Sequence, residues 1–125
     1  DVCSSDLLLV DDNAELLMAL TKVLEKEGYS VTAKPDADSA LKYMNATSAH
    51  PDLIITDVSM PGMKGTDFLA AVKNVFPDLP VIIITAFGEW DQYMQALRAG
   101  AFAYLSKPVD KAELLATIRR ALGGR

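Results

Sequence analysis

Short, unbroken apolar runs alternate with longer stretches of helical periodicity along this chain. Leu7-Leu8-Leu9-Val10, Leu53-Ile54-Ile55 and Val81-Ile82-Ile83-Ile84 are continuous rather than alternating, the pattern of strands buried on both faces, as in a parallel sheet. Tyr29 to Ala33 and Phe102 to Leu105 are weaker runs that suit strands nearer an edge. Between them lie amphipathic stripes. Leu16, Leu17, Leu20, Val23 and Leu24 share one helical face and stop at Gly28, a natural helix terminator. Ala37, Ala40, Leu41 and Met44 make a second stripe, and Phe68, Leu69 and Val72 a third that ends at Pro77. Trp90, Met94 and Leu97 make a fourth, stopping at Gly100, and Leu114, Leu115, Ile118 and Leu122 a fifth. This alternation predicts βαβ units with right-handed crossovers and helices on both faces of one sheet. Ligands of such α/β folds bind beyond the carboxyl ends of the strands, which directs attention to the residues that follow each run.

Asp11 and Asp12 follow the first run, Asp57 the third, Thr85 the fourth and Lys107-Pro108 the fifth. Singly, each has an ordinary explanation: Asp caps helices, Thr fills turns, Lys is solvated and Pro starts a helix. Their convergence on one sheet edge is what points to chemistry. Clustered carboxylates repel one another unless a cation joins them, and an all-oxygen ligand set suits a hard ion, Mg2+ or Mn2+, rather than zinc. Mg2+ takes one or two carboxylates plus a substrate phosphate, which leaves one Asp as a nucleophile for a phosphoryl group. Thr85 and Lys107 are then placed to supply a hydroxyl and an ammonium to phosphoryl oxygens.

Composition narrows the classes. A length of 125 residues fits one domain. A formal net charge of -5 argues against direct nucleic-acid binding. Cys3 is the single cysteine, so no internal disulfide can form, and a reducing cytoplasm is the expected compartment. No apolar run approaches the ~20 residues that span a bilayer, and the first residues lack a signal-peptide pattern. The chain starts without Met and ends in Gly123-Gly124-Arg125, so we expect one domain over residues 1–125, with its core about 6–122, cut from a longer protein.

Val10-Asp11-Asp12-Asn13, Ile55-Thr56-Asp57-Val58-Ser59-Met60-Pro61-Gly62-Met63-Lys64-Gly65, Ile84-Thr85-Ala86 and Tyr104-Leu105-Ser106-Lys107-Pro108 together resemble the receiver domains of two-component response regulators, over about Leu7 to Leu122. The resemblance implies a flavodoxin-like, doubly wound α/β fold: five parallel strands in the order 2-1-3-4-5 and five helices. It implies that Asp57 is the phosphoacceptor and that Asp12 and Asp57 are direct carboxylate ligands of Mg2+, with Mn2+ an alternative. Asp11 then orients a metal-bound water, and the Ser59 backbone carbonyl is the third protein ligand. Lys107 is similar to the family's phosphate-pairing lysine, and its bond to Pro108 is expected to be cis. Thr85 and Tyr104 resemble the family's switch pair. Ser59 and Phe87 would flank the phosphoryl group, the bulk of Phe87 shielding it from water.

The same resemblance implies a sensor histidine kinase or phosphotransfer protein as donor. The chain would catalyse only its own phosphorylation and dephosphorylation, and would signal to an output domain or partner through the fourth helix, fifth strand and fifth helix. Glu89, Asp91, Arg98, Asp110, Lys111, Glu113, Arg119 and Arg120 lie on that face; they suit a solvated mixed-charge surface and a self-complementary dimer patch equally. Thr85-Ala86-Phe87-Gly88 is similar to receivers joined to ATPase-type transcriptional activators, and a hybrid kinase is another parent to consider. Two other classes fare worse. A haloacid-dehalogenase-type phosphatase carries a second Asp two residues after its nucleophile, where this chain has Ser59 after Asp57 and Asn13 after Asp11. A flavin or nucleotide binder needs a phosphate cradle, and Asp11-Asp12-Asn13-Ala14 is acidic and has no glycine. His50 reads as loop surface, Trp90 as core or rim, and Met60 and Met63 as loop packing.

Overall fold

The three continuous apolar runs form the middle of a five-stranded parallel sheet, β1 (Asp6–Val10), β3 (Leu53–Asp57) and β4 (Val81–Thr85), with β2 (Ser30–Lys34) and β5 (Ala103–Ser106) at the edges. The strand order is β2-β1-β3-β4-β5. The computed structural model describes residues 5–46, 50–57, 65–85 and 100–123, with Thr66 and Thr85 described through their backbones alone. Helices α1 (Ala14–Lys26), α2 (Ala37–Ala46) and α3 (Gly65–Val75) connect the strands, and the C-terminal helix Lys111–Gly123 follows β5. The fourth stripe, Trp90 to Leu97, and the Met60-Pro61-Gly62 turn lie outside the described residues.

Register alternation sorts the core into two layers. Leu8, Val10, Ile54, Val81 and Ile83 face α2 and α3, packing with Ala37, Ala40, Met44, Phe68, Leu69 and Val72. Leu7, Leu9, Leu53, Ile55, Ile82 and Ile84 face the other way, against Leu20 and Leu24 of α1 and Leu114, Leu115 and Ile118 of the C-terminal helix. Covering a Leu or Ile side chain contributes about 1.5–3 kcal/mol, so helices on one face alone would forfeit half of this. The continuous apolar runs therefore require both layers, and slipping any strand by one residue would exchange them.

The edges depart slightly from expectation. β2 begins at Ser30 rather than Tyr29, because the Tyr29 amide is committed to closing α1: it donates to Leu24 O at 3.1 Å while Gly28 N donates to Glu25 O at 3.0 Å. β5 begins at Ala103 rather than Phe102; the Phe102 amide reaches Val81 O at 2.8 Å but its ring is exposed. Helix starts are capped by Asn13, Asp36 and Asp110, which accept from Leu16 N, Ser39 N and Glu113 N at 3.1, 2.7 and 2.9 Å.

Gly28 sits at φ +98, and a Cβ there would meet nothing within 4 Å. Only the left-handed conformation therefore opposes a side chain. Gly28→Ala is expected to lose about 1–2 kcal/mol, read as a lower urea midpoint at unchanged slope. An unshifted midpoint would show that the α1 terminus does not need the glycine.

Candidate functional site

The carboxyl ends of β1, β3, β4 and β5 meet on one edge, and the predicted residues meet there with them. Asp57 is the last residue of β3 and Asp11 follows the last residue of β1; these strands are neighbours, paired from Leu7↔Leu53 to Val10↔Thr56. Asp11 and Asp57 are buried, whereas Asp12 is exposed. One carboxylate oxygen from each of Asp11, Asp12 and Asp57 lies within 4.8 Å of the others. Thr85 closes β4 and its backbone pairs with Ser106, the residue before Lys107. Ser59 and Phe87 lie outside the described residues. Tyr104 is on β5, partly buried against the layer that holds α2 and α3.

Lys107 reaches back across β4 to this cluster. Its Nζ donates to Asp57 Oδ2 at 3.0 Å and stands 3.0 Å from Asp11 Oδ2. The second contact is an ion pair rather than an aligned hydrogen bond, since Asp11 Oδ2 is a buried acceptor with no hydrogen-bond partner among the described residues. Burial pushes the Lys107 ammonium down, but its close contacts with Asp11 and Asp57, together with their charges, outweigh that and hold it above the ordinary lysine value. The ammonium thus stays charged and both buried carboxylates keep a counter-ion. The Lys107–Pro108 bond is cis, in line with the family pattern.

The donor set fits a hard divalent cation. Among the described residues the candidate ligands are carboxylate oxygens, three acidic groups face one ammonium, and the two charges left over are those of one such ion. Asp11 Oδ2, lacking a hydrogen-bond donor, is the atom that a cation or its water would satisfy.

Two residues join the site that hydrophobic patterning does not single out. The Asn13 amide donates to Asp11 Oδ1 at 2.9 Å; an Asn just ahead of a helical stripe signals a cap, but not this contact. Buried Thr56 donates its hydroxyl to Asp57 O at 3.1 Å, and nothing in the local sequence announces it. His50 stays apart, its ring packed 4.5 Å from that of Phe76. No helix among the described residues is long and apolar enough to cross a membrane.

Comparison with known proteins identifies the family. Residues 7–119 match the family model "Response regulator receiver domain". The chain is 40% identical over 114 residues to the DNA-binding transcriptional regulator NtrC of Proteus hauseri, covering 91% of this chain and 24% of that protein. It is 36% identical over 124 residues to the transcriptional regulatory protein PrrA of Mycobacterium leprae, covering 99% of this chain and 52% of that one. The chain therefore spans from about a quarter to a half of the curated relatives it matches. Among solved structures, a receiver domain protein from Clostridium thermocellum superposes with a TM-score of 0.90 at 32% identity, over 96% of this chain and 95% of that one. NtrX from Brucella abortus, solved with ADP, superposes with a TM-score of 0.90 at 31% identity, over 98% of this chain and 28% of that one.

Removing Lys107 tests the electrostatics. Breaking a buried ion pair on one side costs about 3–5 kcal/mol, and Lys107 is 27% exposed, so Lys107→Ala in EDTA should fall at the low end. A lysine raised above its ordinary value contributes stability fully below the unfolded value of 10.5 and loses it as pH climbs through the raised one. The stability gap to the unsubstituted chain should therefore stay constant from neutral pH to about 10 and close above it. A gap that closes already near neutrality would contradict the assigned charge state.

Proposed function

Because this chain belongs to the response regulator receiver domains, we propose that Asp57 accepts a phosphoryl group from a phosphohistidine of a sensor kinase or phosphotransfer protein and that the domain then changes its signalling surface. The observation that carries this is Asp57 itself: a carboxylate 4% exposed at the end of a strand buried on both faces, with the Lys107 ammonium 3.0 Å away. In the transfer, an Asp57 carboxylate oxygen forms a bond to phosphorus, the P–N bond to the donor imidazole breaks, and that nitrogen leaves with the electron pair. Lys107 then pairs with an oxygen of the new aspartyl phosphate, and Thr85 offers its hydroxyl to another.

Asp12, Asp57 and the Ser59 carbonyl would hold a Mg2+, or Mn2+, and Asp11 would orient a water on it. Such an ion supplies charge neutralisation on the transferring phosphoryl oxygens. Asp12, exposed beside two buried partners, is the carboxylate open to incoming solvent and ion. A haloacid-dehalogenase-type phosphatase is not supported, since neither candidate nucleophile is followed at two residues by an acid. In the parent protein the domain would control an output module, in keeping with relatives of which it spans only a part.

Acetyl phosphate or phosphoramidate with Mg2+ should add one phosphoryl mass, visible by intact-mass measurement and absent in Asp57→Ala. Asp12→Ala should lower labelling by orders of magnitude, and EDTA should abolish it. Labelling that survives in Asp57→Ala, or that ignores EDTA, would overturn the nucleophile or the metal assignment respectively.

The switch has its own test. Tyr104 pairs in register with Ile83, two residues before Thr85 on β4. Recruitment of the Thr85 hydroxyl by the phosphoryl group should vacate space that the Tyr104 ring fills. Moving a two-state equilibrium from 1:99 to 99:1 takes ~5.5 kcal/mol, within reach of several charge-assisted hydrogen bonds at about 1.5–3 kcal/mol each. Beryllofluoride, which mimics the aspartyl phosphate, should shift NMR signals of Tyr104 and of residues 89–97. Shifts confined to the surroundings of Asp57 would mean phosphate is stored and not signalled.

A further inference from the structure

We propose that Asn13 is a positioning residue for Asp11, aiming one carboxylate oxygen into the cation site through the start of α1; this rests on the metal reading above. Asp11 is wholly buried and its two oxygens are treated differently. Oδ1 accepts the Asn13 amide at 2.9 Å. Oδ2 is left for Lys107 Nζ, 3.0 Å away, the same ammonium that donates to Asp57 Oδ2. A carboxylate tethered through one oxygen cannot rotate to present both, so the amide decides which atom faces the cation.

The amide is in turn fixed by the helix. Asn13 is the N-cap of α1, at φ -86 and ψ 103; its side-chain oxygen accepts from Leu16 N at 3.1 Å and its carbonyl from Leu17 N at 3.0 Å. On the other side, Asp11 N donates to Lys34 O at 3.2 Å at the end of β2. The residues from Asp11 to Leu16 are thus held by two successive side-chain-to-amide bonds, Asp11 to Asn13 and Asn13 to Leu16. The Asn13 side-chain oxygen is engaged by the cap, so its influence on the cation runs through backbone placement. Groups that orient metal-site carboxylates in this way typically account for 10–100-fold in affinity.

Three substitutions separate the two contacts. Asn13→Ser keeps both the cap and the amide; Asn13→Ala keeps the amide and loses the cap; Asn13→Pro loses both, and needs a shift of about 20° from the observed φ of -86. Each variant is titrated with MgCl2, followed by the amide shifts of residues 9–12, and its urea midpoint is measured in parallel. Mg2+ binding should be unchanged in Asn13→Ser, weaker in Asn13→Ala, and weaker by about 10–100-fold in Asn13→Pro. A folded Asn13→Pro chain with undiminished Mg2+ affinity would overturn the proposal. If that variant does not fold, the Ala and Ser pair decides: affinity lost in Ala and restored in Ser supports it. A lower urea midpoint in Ala with Mg2+ affinity equal to that of Ser would assign Asn13 to the helix alone. Absence of Mg2+ binding by the unsubstituted chain would remove the metal reading itself, a different failure.

Discussion

Ile54 and Ile55 are chain neighbours, face opposite sides of the sheet, and are both wholly buried. A strand without a solvent face must be covered twice, and a helix laid along a face uses up the return path of the chain. Parallel pairing follows, because each crossover delivers the next strand in the same direction. Every strand then ends on one edge. The convergence of Asp11, Asp57, Thr85 and Lys107, drawn from β-strand ends up to 96 positions apart in sequence (107 − 11), is a consequence of burying that middle strand on both sides.

The same geometry sets an electrostatic problem at that edge. Asp11 and Asp57 end neighbouring strands and are nearly excluded from water, where like charges repel one another more strongly than in solvent. Lys107 offsets part of this by standing 3.0 Å from an oxygen of each. It does not offset all of it, since exposed Asp12 adds a third carboxylate. The site is therefore left with an excess of negative charge that a divalent cation would neutralise.

β5 is where site and surface join. Lys107 follows it directly, while Tyr104 packs on the layer of α2 and α3 and Leu105 on the layer of α1 and the C-terminal helix. A force on the Lys107 ammonium acts on a strand whose consecutive side chains sit in both cores. Asp57, through Lys107, is thus joined by one short strand to both layers of the core.

The central strands were legible in the chain because burial on two faces leaves no polar positions, and a run such as Val81 to Ile84 has few other uses. The half-exposed edges were less so: β2 and β5 each start one residue later than hydrophobicity suggests, since Tyr29 closes a helix and Phe102 points to water. Residue types at strand ends, with the parallel rule, located the acidic edge and its lysine. What sequence could not supply were the facts that depend on distances between remote atoms. Asp11 and Asp12 are adjacent and chemically identical, yet one is buried and the other exposed. The Asn13 amide and the Thr56 hydroxyl enter the site through backbone direction rather than side-chain type. Sequence patterning records which residues avoid water; which oxygen of a carboxylate faces a cation is set only when strands, caps and crossovers are assembled around it.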